Sequence, residues 1–176
     1  MKDVIASAYD AMKGTFGYTN VMQSPKVVKV VISTGTGKID DKNKLKLIED
    51  RLAQITGQKV APRQARKSIA SFKLREGEVI GYQVTLRGKR MHSFLDKLIH
   101  LALPQTRDFR GLNASAIDDM GNITIGIPDH TIFPETANEE IRDVFGFAIT
   151  IVTNADSKEE AEALLRHIGL PLKQQA

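Results

Sequence analysis

The chain contains no cysteine. That excludes a disulfide scaffold, a thiolate metal site, an iron–sulfur cluster and a cysteine nucleophile, and it fits a reducing compartment. No apolar run approaches the roughly 18 residues that a membrane span requires. The opening stretch MKDVIASAYDAMKG carries charged and polar groups where a signal peptide needs an apolar segment. A cytoplasmic protein with no membrane partner is expected. Internal repeats and low-complexity tracts are missing too.

Catalytic patterns are equally scarce. The histidines, His92, His100, His130 and His167, show no metal-ligand spacing, and Asp96 ahead of His100 reads as an ordinary helix-surface pair. Ser68, Ser71 and Ser93 lack the context of a nucleophile elbow. Asp118-Asp119 reads as a turn, because adjacent carboxylates seldom face one target. Ser33–Lys38 superficially suggests a phosphate loop. However, Ile32 stands where such a loop needs its first glycine, and Ile39 where Ser or Thr must hold Mg²⁺. Asp40 occupies the third glycine of a dinucleotide fingerprint. A glycine turn that lets backbone approach a partner closely is the better reading. No catalytic centre, metal or cofactor is expected.

What is present is a segregated charge. At 176 residues and 19.4 kDa the chain can bury a core as one domain over 1–176. Residues 1–110 hold 21 Lys/Arg against 10 Asp/Glu, whereas 111–176 hold 4 against 11. The sharpest stretch, 59–90, has nine cations (Lys59, Arg63, Arg66, Lys67, Lys73, Arg75, Arg87, Lys89, Arg90) against Glu76 and Glu78. Clustered Lys and Arg release counterions from a phosphate backbone, so this segment favours a polyanion, nucleic acid above all.

Hydrophobic spacing outlines the elements. Val4, Ile5, Ala8 and Met12 predict a helix over 2–13, closed by Gly14 and Gly17; Lys26–Ile32 predicts a β-branched strand. Asp40 and Asp41 can cap a helix bearing Leu45, Ile48, Leu52 and Ile55 and ending at Gly57. Residues 67–74 and 79–86 read as an antiparallel hairpin about Arg75–Glu78. Met91, Phe94, Leu95, Leu98, Ile99 and Ala102 form one helical stripe stopped by Pro104. Residues 105–121 lack a period. Asn122–Ile127 and Phe147–Val152 follow as strands, the second central, and Ser157 with Glu160 forms a capping box for the last helix, closed by Gly169. This order predicts an α+β fold, a mainly antiparallel sheet with helices on one face, ferredoxin- or RRM-like. Among the aromatics, core packing is expected for most, though Phe72 could stack on a base.

Several segments carry a resemblance. Thr56-Gly57-Gln58-Lys59, Ala65–Gly77, Ile80-Gly81, Val84–Gly88, Arg90-Met91, Phe94–Leu98, Ala102-Leu103-Pro104 and Arg107–Leu112 resemble the bacterial large-subunit ribosomal protein five family, as do Pro25-Lys26, Ile132–Glu135 and Ile149–Thr153. The resemblance spans nearly the whole chain. It implies a non-catalytic domain in the central protuberance that holds 5S rRNA and contacts 23S rRNA and neighbouring proteins. It further implies a contact with P-site tRNA and a bridge to small-subunit ribosomal protein thirteen. By motif, the 5S rRNA contact would use Lys29, Ser33, Gly35, Gly37, Gln58, Lys59, Arg63, Thr85 and Arg87. A tRNA-facing loop at 71–81 would carry Ser71, Lys73, Arg75 and Gly77, with Arg66 and Lys67 nearby. The acidic part, 111–176, lies beyond.

Departures are local. Ser33 stands where the family usually has Asn, Val60 where Pro usually follows Lys59, and Arg63 where Thr is usual, which adds a charge. The turn at Asp119-Met120-Gly121 and the run Gly146–Ile149 also differ. Two other readings stay open on residues alone: a nucleotide-dependent enzyme using Gly35–Lys38, and a free-standing RNA-binding regulator.

Overall fold

The computed structural model describes residues 4, 7–39, 41–137 and 143–173. Ile5 of the N-terminal stripe and Asp40 lie outside the described residues. Helix α1 is Ala8–Phe16; it runs through Gly14 and ends where Gly17 turns left-handed at φ 68°, its N–H donating to the Lys13 carbonyl at 2.9 Å. Strand β1 is Val27–Gly35, longer than expected because Ser33, Thr34 and Gly35 continue the extended backbone. Helix α2, Lys42–Thr56, starts on Asp41, whose carboxylate accepts from the Asn43 N–H, and stops at left-handed Gly57.

The expected 67–74 strand does not form. Strand β3, Val79–Leu86, pairs antiparallel instead with β2, Ala61–Gln64, a short edge strand whose four residues are all exposed. Pro62 and a low apolar content hide β2 from periodicity, yet both suit an edge. Segment 67–74 folds back on itself: Ala70–Phe72 makes a 3₁₀ turn, Lys73 sits left-handed at φ 54°, and Ile69 bridges Leu74. The loop therefore spans 65–78, and residues 79–81 of the expected 71–81 belong to β3.

Helix α3, Gly88–Lys97, carries the foreseen stripe, and its continuation Leu98–Ala102 widens into a π turn before a last turn ends at Gln105, just past Pro104. Strands β4, Ile123–Ile127, and β5, Phe147–Thr153, precede helix α4, Lys158–His167. The Ser157 hydroxyl accepts from the Glu160 N–H at 3.2 Å, but the reciprocal half of the box is missing. Buried Glu160 instead accepts from the Asp156 N–H and from the Tyr18 hydroxyl.

The five strands form one open antiparallel sheet in the order β2-β3-β1-β5-β4. Four of them, β2-β3-β1-β5, follow the order of a ferredoxin-like sheet, and β4 adds an outer strand. β5 is interior but second from the edge, not central. Burial alternates along the strands. Val30, Ile32 and Thr34 of β1, Tyr82, Val84 and Leu86 of β3, and Phe147, Ile149 and Ile151 of β5 are buried, and the residues between them are mostly half-exposed. One face of the sheet thus meets the core while the other stays open.

Two compact units divide the chain. One comprises Val31–Leu86 and Gly126–Ile149; Ile48, Leu52, Ile55, Phe133 and Phe147 fill its core, and the Phe133 and Phe147 rings lie 5.8 Å apart. The other holds Arg87–Ile125 with the chain up to Val30 and from Thr150 onward. There α1 packs on α4, and left-handed Gly121 fits against Thr153 and Ala161, its carbonyl accepting from the Thr153 hydroxyl at 2.7 Å.

Candidate nucleic-acid interface

Strand parity builds the site in the Val31–Leu86 unit. Val31, Ser33 and Gly35 of β1 share the open face with Gly81, Gln83 and Thr85 of β3, and register places Ala61 and Arg63 of β2 beside Gln83 and Gly81. These side chains are short or polar, so main chain lies near the surface. A methyl group built on Gly35 would meet nothing within 4 Å, so its backbone is bare to a partner. At Gly81 the reverse holds: a methyl group would stand 2.7 Å from the Thr34 carbonyl, so glycine here lets β1 and β3 lie close together.

Sequence reading missed Gln83. Its Oε1 accepts from Arg63 Nε at 2.6 Å, which lays the guanidinium along the open face instead of leaving it free in solvent. The alternation Gly81-Gln83-Thr85 was the available signal. Gln58 is half-buried, and its amide donates to the Thr85 carbonyl at 3.2 Å, tying the end of α2 to β3; Lys59 beside it is exposed. The expected glycine turn is confined to Gly37-Lys38. Thr36 staples it to β3 through its N–H on the Ile80 carbonyl, 2.9 Å, and Gly37 does not adopt a left-handed backbone. Beneath this face the Tyr82 phenol is buried, and burial first, then the Glu49 charge, raises its pKa, so it stays neutral.

Lys29 shares the parity of Ser33 along β1, but it and Arg87 fall in the other compact unit. Arg87 continues β3 in extended backbone and leads into α3, whose first turn carries Lys89 and Arg90 and no acid. An uncapped helix start flanked by cations suits phosphate oxygen.

The second group, Arg66, Lys67, Ser71, Lys73, Arg75 and Gly77, is brought together on the 65–78 loop, all exposed. At its base the Ala65 N–H donates to the Glu78 carbonyl at 2.8 Å and the Gly77 N–H to the Ala65 carbonyl at 3.0 Å. Ser68 Oγ accepts from the Glu76 N–H at 2.9 Å, and the Glu78 carboxylate accepts from the Arg75 N–H at 3.2 Å. The loop is thus an ordered finger with four cations. Tyr82 and Phe94 are core residues, as expected for most aromatics, whereas Phe72 at the fingertip is 70% exposed.

Among the described residues no group of three His, Asp or Glu could hold a metal ion, and no helix is long and apolar enough to cross a membrane. Short polar groups, bare glycine backbone and cations on a flat face are the equipment for sugar and phosphate contact.

Comparison with known proteins gives this equipment a setting. Residues 20–75 match the model of the family described as Ribosomal protein L5, and residues 79–172 match the model of that ribosomal family's C-terminus. The chain is 48% identical over 164 residues to the large ribosomal subunit protein uL5 of Flavobacterium johnsoniae, covering 93% of this chain and 90% of the relative. With the protein of the same name from Trichlorobacter lovleyi it shares 45% identity over 175 residues, 98% of each chain. The Microcystis aeruginosa protein of that name is 45% identical over 92% of this chain and 91% of its own. These matches make it a structural constituent of the large subunit of the cytoplasmic ribosome and not an enzyme. The chain belongs to the ribosomal protein L5 family.

Proposed function

We propose that the chain acts as a single 5S rRNA-anchoring domain, and that the open sheet face around Ser33, Gly35, Arg63 and Thr85 receives the RNA. The observation that carries this reading is the pairing of bare Gly35 backbone with a guanidinium laid along the same face by Gln83. Glycine admits a sugar–phosphate chain to main-chain distance, and a guanidinium held by one side-chain hydrogen bond still has donors free for a charge-assisted bond to phosphate. Lys29, Lys59 and Arg87, with Gly37 and Gln58, extend the contact. The cationic 65–78 finger reaches the P-site tRNA, while contacts with 23S rRNA, neighbouring central-protuberance proteins and small-subunit ribosomal protein thirteen complete its place in the particle.

A gel-shift series tests this. The full chain should hold a 5S rRNA transcript at moderate salt against excess tRNA, and bind a random RNA of the same length far more weakly. Equal affinity for both would overturn the reading. Replacing 66–77 by a short Gly-Ser linker should spare 5S rRNA binding; parallel loss would place the finger inside the 5S site.

A further inference from the structure

From the fingertip we infer that Phe72 is a stacking platform for an unstacked nucleobase of the RNA that the finger meets, an inference that rests on the finger reading above. An aromatic ring 70% exposed is costly to leave in water, and Ile69 beside it is 44% exposed. The backbone is shaped to keep it there. The 3₁₀ turn Ala70–Phe72 runs directly into Lys73, one of two non-glycine residues with positive φ among the described residues. Such strain persists where the surroundings over-determine it, here through the Ile69–Leu74 bridge and the Lys73 N–H on the Ala70 carbonyl.

The surroundings choose the partner. Lys73 and Arg75 follow Phe72 within three residues and Arg66 and Lys67 stand nearer the base, against Glu76 and Glu78, so the finger favours a partner that is anionic at its edges and has a face that an aromatic ring can meet. An extruded base flanked by phosphates has both properties, and aromatic stacking with cationic backbone contact is how proteins hold unpaired bases. A lipid surface would demand a larger apolar face than one phenyl ring and a half-exposed Ile.

The chain has no tryptophan, so Phe72→Trp creates a lone fluorophore at the tip. The full chain carrying it, bound to a 5S rRNA transcript, is titrated with a tRNA transcript and with a fully paired RNA duplex. Stacking predicts quenching by tRNA and little by the duplex. Phe72→Ala should weaken tRNA binding by about 5- to 150-fold while Phe72→Tyr retains it. Four results overturn the inference: unchanged emission with tRNA, full affinity in Phe72→Ala or Phe72→Leu, an equal loss of 5S rRNA affinity in Phe72→Ala, or a blue shift on anionic vesicles without response to tRNA. If Phe72→Ala is silent but Lys73→Ala and Arg75→Ala each weaken tRNA binding, stacking fails and the finger reading stands. If all three are silent, the finger reading fails as well.

Discussion

Replacing Gly35 with alanine separates folding from RNA contact at a single position. Gly35 ends β1 without a left-handed backbone, and its added methyl group would meet nothing within 4 Å. The variant should therefore fold normally. Removing glycine's freedom from the unfolded chain should even raise stability by about 0.4–1 kcal/mol. The methyl would, however, stand where the RNA comes nearest the main chain. Losing one backbone hydrogen bond there costs about 1 kcal/mol, or about fivefold in affinity, and Gly35→Val should cost more. Gly81→Ala is the contrasting variant. Its methyl would sit 2.7 Å from the Thr34 carbonyl, and backbone cannot yield cheaply. A loss of about 1–3 kcal/mol of stability is expected from such overpacking. Urea unfolding followed by circular dichroism and filter binding of a 5S rRNA transcript at fixed salt measure the two effects. A Gly35→Ala protein that binds RNA with parental affinity would refute the close approach. One that unfolds more easily would refute the open placement of Gly35.

Other expectations concern charge and packing. Arg87→Ala should lower the steepness of log K against log salt by about one unit, as expected for a lost phosphate contact, whereas Thr85→Ala should weaken binding with the slope unchanged. Arg63→Ala and Gln83→Ala should be non-additive in RNA affinity, because Gln83 acts by holding Arg63; additive losses would show that the two work separately. Leu52→Ala, which empties a fully buried position, should cost about 2–5 kcal/mol in urea unfolding. In the turn ending at Asn122, the Asn122 side-chain amide and N–H and the Met120 N–H hold the Asp118 pKa below the ordinary carboxylate value. Its contribution is therefore present above the unfolded value, near about pH 4, and is lost as pH falls through the lower native one. Asp118→Asn should flatten the acid side of the stability–pH curve, and identical curves would contradict the hydrogen-bond assignment.

Elements with one clear period were legible from sequence. The α3 stripe and the alternating inward positions of β3 and β4 are buried as their spacing implies, and so are Ile48, Leu52 and Ile55 of α2, with Leu45 half-buried, because each element must cover one face of a core. Edge and loop geometry was not legible. β2, with Ala61-Pro62-Arg63-Gln64, has neither alternation nor branched residues, since an edge strand exposed on both sides needs no apolar face. The hairpin expected at 67–86 failed because Ile69, Phe72 and Leu74 mimic a strand while the left-handed Lys73 turns the chain back. Glu160 illustrates a different limit. Its spacing from Ser157 fits a capping box, but Tyr18, distant in sequence, claims its carboxylate, and burial of the phenol followed by this hydrogen bond drives the Tyr18 pKa upward. At the site, Ser33, Gly35, Arg63 and Thr85 came from what the family resemblance implies, whereas the Arg63–Gln83 pairing depends on a register that only the folded sheet supplies.

Ultraviolet crosslinking of native large subunits, read by mass spectrometry, tests the central claim most directly. Peptides spanning 31–37 and 83–87 should carry nucleotides of 5S rRNA, and in subunits free of tRNA the 66–77 segment should carry none of them. Crosslinks from 31–37 and 83–87 only to 23S rRNA, or to protein alone, would contradict the assignment of the open sheet face to 5S rRNA.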